Sequence, residues 1–178
     1  MNKPTKEELN ALRDECYKIS CEHGFHDEQL SERHFLCLVI TELSEAVEAD
    51  RKDRHANVAG FENAAKVYPI QRCFEGYIKD TVEDELADAA IRILDLAGLN
   101  GDNLPDLSDM DEDTCDYFKS KSFTESIYEI CEDIFYGNDI ALYDLFVLAE
   151  VMGFDLMEHI RLKMDYNRTR ERMHGKKY

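Results

Sequence analysis

Three prolines, eight glycines and no tryptophan stand in a chain of 178 residues. With prolines only at 4, 69 and 105, most of the chain is free to run as helix, because proline removes an amide donor and breaks a helix interior. Basic residues are also scarce. Lys and Arg number 21 against 39 Asp and Glu, for a net charge of −18 with the acids spread along the chain. That balance excludes a direct nucleic-acid interface, which needs clustered cations against phosphate, and leaves only a metal-mediated route to phosphate oxygens. No run approaches the ~18 apolar residues of a membrane span. The stretch MNKPTKEELNALRDE lacks the apolar core of a secretory signal, so we expect a cytoplasmic protein with no membrane partner. The six cysteines, at 16, 21, 37, 73, 115 and 131, contain no C-x-x-C pair. They read as free, mostly buried thiols of a reducing compartment, with Cys37 and Cys73 in apolar or helical surroundings.

What is present is helical periodicity. Thr5 with Glu8 three residues on predicts a capped helix over 5–22, ended by His23-Gly24. A second helix runs from about 31 to 54. The stretch 55–69 has only a weak helical pattern. A third helix covers about 71–96, broken at Gly76 and stopped by Gly98 as a C-cap. Further helices are expected near 124–136, 139–151 and 155–172, with Gly137 and Gly153 as breaks. Between them, 99–116 reads as a polar, acidic loop. Its Asp109-x-Asp111-x-Asp113 spacing matches the opening of a calcium loop, but Thr114 stands where the turn glycine belongs and Ser120 where the bidentate Glu belongs. No strand alternation or repeat is visible. The expectation is a single all-α domain over 1–178, large enough to bury its own core.

Two carboxylate couplets stand out: Glu42-x-x-Glu45 in ITELSEAVEADR, and Glu85-x-x-Asp88 in VEDELADAAIRILDLAG. Residues three apart on a helix lie about 60° apart around the axis, so each couplet aims two carboxylates the same way. Such pairs are common where 34% of residues are charged, and most of them decorate solvated faces. Here the surroundings differ. Leu86, Ala87, Ala89, Ala90, Ile93 and Leu94 cover most of the second helix, leaving one stripe of Glu85, Asp88, Arg92 and Asp95. Charges on a helix otherwise built for burial are costly unless paired or metal-bound, so the stripe is expected to line a polar cavity. On the first helix Glu42 and Glu45 share a strip with Leu38 and Ala49, while Glu48 points away as a solvated acid. Two facing helices of this kind would offer four oxygen donors. Without histidine or cysteine among them, they select a hard cation, Mg²⁺ or Mn²⁺, over Zn²⁺ or copper. His23-x-x-His26 lacks a matching couplet for a zinc site.

In EHIRLKMDYNRTRERMHGKKY, Lys163, Asn167 and Arg170 fall at i, i+4 and i+7 on one helical face, which His174 would join if the helix continued. Cationic and amide donors of this kind suit phosphate oxygens, although basic residues also balance a helix C-terminus.

E-x-x-E, then E-x-x-D, then K-x-x-x-N-x-x-R resembles the all-α nucleoside triphosphate pyrophosphohydrolases, the MazG-like and dimeric dUTPase superfamily. The likeness is best over 36–54 and 78–98, with support from 160–178. It implies a helical bundle assembled as a homodimer or homotetramer. It also implies Mg²⁺-dependent hydrolysis of a nucleoside triphosphate to the monophosphate and pyrophosphate. Glu42, Glu45, Glu85 and Asp88 would be metal ligands, and Lys163, Asn167 and Arg170 would contact substrate phosphates. Glu45 would activate the attacking water, and Asp95, with Arg92, would support the ligands from behind or add one more. Thirty-nine residues separate Glu45 from Glu85, so an insertion is expected around 55–75, and 99–150 also exceeds the minimal bundle. Phe61, Tyr68 or Phe74 could stack a base or fill the core. The competing class is a non-enzymatic acidic interaction protein, a DNA mimic or regulatory partner. It accounts for the charge but not for the apolar setting of the couplets.

Overall fold

The computed structural model describes residues 3–108, 112–175 and 177. Among them the chain is all helical: α1 (Lys6–Glu22), α2 (Glu32–Asp50), α3 (Val58–Ala65), α4 (Ile70–Tyr77), α5 (Val82–Asn100), α6 (Glu112–Lys119), α7 (Phe123–Asp133), α8 (Asn138–Met152) and α9 (Leu156–Arg168), then a 3₁₀ turn over Arg172–Gly175. No helix of the described residues is long and apolar enough to cross a membrane.

Local chemistry sets these boundaries. Thr5 caps α1 through a reciprocal box with Glu8, satisfying two amides that a helix N-terminus otherwise leaves open. The expected 71–96 helix is in fact two. Gly76 lies inside α4, and the chain turns instead at 78–81, where Asp80 takes a left-handed φ of 59°. Thr81 then starts α5 by accepting from the Asp84 amide. At the far end Gly98 is not the cap. Gly101, at φ 73°, plays that part, since a residue without Cβ enters the left-handed region at no steric cost. Gly98 answers to packing: a Cβ there would lie 2.5 Å from Cβ of Tyr17 on α1. The sequence expectation also ran the acidic loop from 99 to 116, yet α5 continues to Asn100 and α6 already begins at Glu112. Asp109 and Asp111 of the calcium-like spacing lie outside the described residues.

α5 is the axle of the fold, packing against α1, α2, α8 and α9. Leu86, Ala90, Ile93, Leu94 and Ala97 on it are fully buried, each large side chain contributing about 1.5–3 kcal/mol of hydrophobic stabilisation. The main core runs from α1 through α9. A smaller cluster joins α3 and α4 to α9, with Phe61, Phe74 and Tyr166 at its heart and the Phe74 and Tyr166 rings stacked at 4.4 Å. Phe61 and Phe74 are thereby core residues, while Tyr68 is exposed beneath Arg72. The thiols divide evenly: Cys16, Cys73 and Cys115 are buried, Cys131 is half-buried, and Cys21 and Cys37 are exposed. Cys37 departs from expectation because it falls on the outer face of α2, opposite Phe35 and Val39.

Candidate metal centre and adjoining cavity

α2 and α5 pack face to face and run in opposite directions, as shown by Glu45 and Glu42 meeting Glu85 and Arg92 in reverse order. One carboxylate oxygen from each of Glu42, Glu45 and Glu85 lies within 4.8 Å of the others. Glu42 and Glu85 are buried and Glu45 is exposed, so the cluster has two fixed inner acids and one that reaches solvent. Burial, then the neighbouring charges of Asp88, Asp84 and Glu42, pushes the Glu85 carboxyl up to about 8. Like charges in one small volume favour either a proton or a cation among them. An all-oxygen donor set with this repulsion fits a hard divalent ion. Glu42 is also gripped by the Arg92 guanidinium, which fixes its orientation. Glu48, by contrast, is exposed and pairs with Arg51 and Lys52.

Asp88 is placed differently from its couplet partner. Its carboxylate lies 2.7 Å from Nζ of Lys163, which also donates to both oxygens of Asp84 at 2.8 and 2.9 Å. Lys163 is only 4% exposed. Burial alone would strip its proton, but Asp88 and Asp84 outweigh that and hold the ammonium above the ordinary lysine range. Of the expected phosphate ligands, Lys163 is therefore committed to two aspartates in this arrangement. Asp84 had no role in the sequence reading, although its position one residue before Glu85 put it on the same end of α5.

A cavity of about 630 Å³ lies next to the cluster's neighbours, lined by Asp88 and by the Arg92 that grips Glu42, while Glu42, Glu45 and Glu85 do not line it. Asp88, Ile91, Arg92 and Asp95 form its α5 wall, so three members of the expected stripe line a space of mixed polarity, and the fourth, Glu85, does not. α2 adds His34, Phe35 and Leu38, α1 adds Cys16 and Ile19, and α9 adds Met164 and Asn167. α9 ends at Arg168, where the Thr169 hydroxyl donates to the Tyr166 carbonyl at 2.7 Å. The expected helix to 172 is thus cut short. The chain folds back instead: the Met173 amide donates to the His23 carbonyl at 2.8 Å, bringing Arg170, Arg172 and His174 to the cavity rim. Arg172 pairs there with Asp27.

Asp95 is not among the three clustered acids. His26 donates from Nε2 to its Oδ1 at 2.7 Å, and the imidazole is packed on the Phe35 ring at 5.5 Å and against Tyr17 at 5.0 Å. His23 serves elsewhere, its ring facing the Ile19 and Arg170 carbonyls. The two histidines do not form a metal pair. Sequence reasoning missed Phe35 and Arg172 as parts of this cavity, and His26 as the partner of Asp95 behind it, because they come from a second helix, the tail and a loop. The only local sign was the cluster of aromatic and imidazole rings around Gly24-Phe25-His26.

No protein-family model, curated protein or solved structure matches this chain.

Proposed function

We propose that the chain is a MazG-like nucleoside triphosphate pyrophosphohydrolase, releasing the nucleoside monophosphate and pyrophosphate in a Mg²⁺-dependent reaction and acting as a homodimer or dimer of dimers. The observation that carries this reading is the convergence of Glu42, Glu45 and Glu85 oxygens within 4.8 Å beside a cavity whose rim presents Asn167, Arg170 and Arg172. Carboxylates that repel one another call for a cation. The neighbouring guanidinium and amide donors call for an anionic, oxygen-rich ligand.

Glu42, Glu45 and Glu85 would hold the ion, with Asp88 at hand on its Lys163 tether and Mn²⁺ able to replace Mg²⁺. The bound ion supplies charge neutralisation on phosphate oxygens and a more acidic water. The protein does the rest. Arg92 keeps Glu42 aimed, and the Lys163 bridge keeps Asp88 and Asp84 from collapsing into the cluster. Asn167 and Arg170 orient the phosphate chain for in-line attack. Glu45, the solvent-facing member, accepts the proton of the attacking water. The water oxygen bonds to phosphorus at the α–β linkage, the bridging oxygen's bond breaks, and pyrophosphate and monophosphate separate.

Thermal stabilisation tests the reading. Millimolar Mg²⁺ with a nonhydrolysable α,β-imido triphosphate at a hundred times its Kd adds about 2.7 kcal/mol, a rise of roughly 5–10 °C for a chain of this size. Glu42→Gln should lose most of that rise. An unmoved wild-type melt, with salt-sensitive binding to a basic protein instead, would replace the enzyme by an acidic interaction partner.

A further inference from the structure

Among the polar groups of the cavity that neither the metal cluster nor the phosphate donors explain, Asp95 is the buried one fixed by a specific partner. Asp95 sits seven residues beyond Asp88 on α5, about 10 Å further along the helix at its rise per residue. It lines the cavity, is 8% exposed, and is held by His26 at 2.7 Å. The cavity presents apolar Phe35, Leu38, Ile91 and Met164 beside polar Ser20, His34, Arg92 and Asn167. A mostly buried carboxylate with one oxygen held by an imidazole gains from a donor brought to its second oxygen. Resting on the pyrophosphohydrolase reading for the ligand's being a nucleotide, we propose that Asp95, positioned by His26, reads the base and selects those presenting an amino group, as cytosine, adenine and guanine do, over the imide edge of uracil and thymine.

With Oδ1 occupied by the His26 donor, Oδ2 is the acceptor offered to the cavity. An exocyclic amino group brings two donor hydrogens on a nitrogen whose own lone pair is delocalised into the ring, so it presents no acceptor of its own. An imide N–H lies between two carbonyl oxygens, so a carboxylate approaching that hydrogen also meets two acceptors it must repel. A phosphate held at the Asp88 end places the base of the same nucleotide near Asp95, with Phe35 and Met164 available to its faces. The volume of about 630 Å³ is that of a pocket for one such molecule. His26 acts only through Asp95: its packing between Phe35 and Tyr17 stops the carboxylate from turning away.

Calorimetric binding of α,β-imido triphosphates with Mg²⁺ tests this in pairs that differ in one amino group: dCTP with dUTP, dATP with dITP, and dGTP with dITP. The wild type is expected to bind the amino member of at least one pair about tenfold more tightly or better, the scale of a hydrogen bond to a charged group. Asp95→Asn, near-isosteric and able to donate as well as accept, should bring that ratio to about one or invert it. His26→Gln should lower the ratio without inverting it. Ratios compare two ligands on one protein, so a loss of folded fraction does not mimic the effect. Equal binding within every pair, an unchanged ratio in Asp95→Asn, or no binding of any analogue overturns the proposal. Intact discrimination in a protein that releases no pyrophosphate overturns the hydrolase reading and leaves the base selection standing.

Discussion

Glu85 couples proton to metal. Its carboxyl, raised to about 8 chiefly by burial and then by Asp88 and Asp84, holds a proton in the metal-free fold that the unfolded chain gives up near its ordinary value. The folded state therefore binds more protons between about pH 4.5 and 8, and this group's contribution to stability falls as pH rises through that window and is level above it. A cation must displace the proton. Calorimetry in buffers of different ionisation enthalpy should show close to one proton released per Mg²⁺ bound near pH 7, with affinity climbing to about pH 8 and flattening beyond. In Glu85→Gln both the release and most of the affinity should vanish; a pH-independent wild-type affinity would contradict the placement of Glu85 in the site. Lys163 makes the opposite case. It is the cation shared by Asp84 and Asp88, so Lys163→Met leaves two acids without their partner in a buried setting. Urea unfolding should show a loss of about 3–5 kcal/mol, partly restored by adding Asp84→Asn. Asn167 and Arg170, grouped with Lys163 by the i, i+4, i+7 pattern, both line the cavity, but the pattern could not reveal that Lys163 faces acids on α5, because that depends on how two helices cross.

Whole elements were legible where periodicity was unbroken. The wheel of α5 separates buried Leu86, Ile93 and Leu94 from the stripe that faces the cavity. Glycine punctuation held at Gly24, Gly137 and Gly153 and slipped at Gly76 and Gly98, the latter because it is demanded by a neighbouring helix rather than by its own terminus. Gly98→Ala is expected to push α1 and α5 apart through Tyr17, costing about 1–3 kcal/mol. That outweighs the ~1 kcal/mol alanine gains in helix propensity, and a melt at or above wild type would contradict it. The junction of α7 and α8 carries a second acid pair that no spacing announced. Burial, together with the hydrogen bond and charge of Asp133, pushes Asp144 up to about 8. By the same sign as Glu85, its stability contribution falls as pH rises from about 4 to 8. Asp144→Asn should raise Tm at pH 8.5 and leave it nearly unchanged below pH 4; equal shifts at both pH values would contradict an ionisable pair there.

At the scale of the molecule, a net charge of −18 stresses the compact state through self-repulsion. A divalent ion at Glu42, Glu45 and Glu85 would relieve part of that stress. All-helical architecture was legible in the scarcity of proline and the run of 3.6-residue periods. Of the cavity only the α5 wall was legible, because α1, α2, α9, the turn around Phe25 and the tail beyond Arg168 each supply a further part of it. The tail reaches it through left-handed turns at Met173 and His174, conformations that sequence periodicity does not encode. The measurement that goes straight to the centre is pyrophosphate release from a panel of ribo- and deoxyribonucleoside triphosphates with and without Mg²⁺, comparing wild type with Glu42→Gln. Metal-dependent release of pyrophosphate with equimolar monophosphate, lost in the variant, is the predicted result. Release of orthophosphate instead, full activity in the variant, or no product from any nucleotide would contradict it.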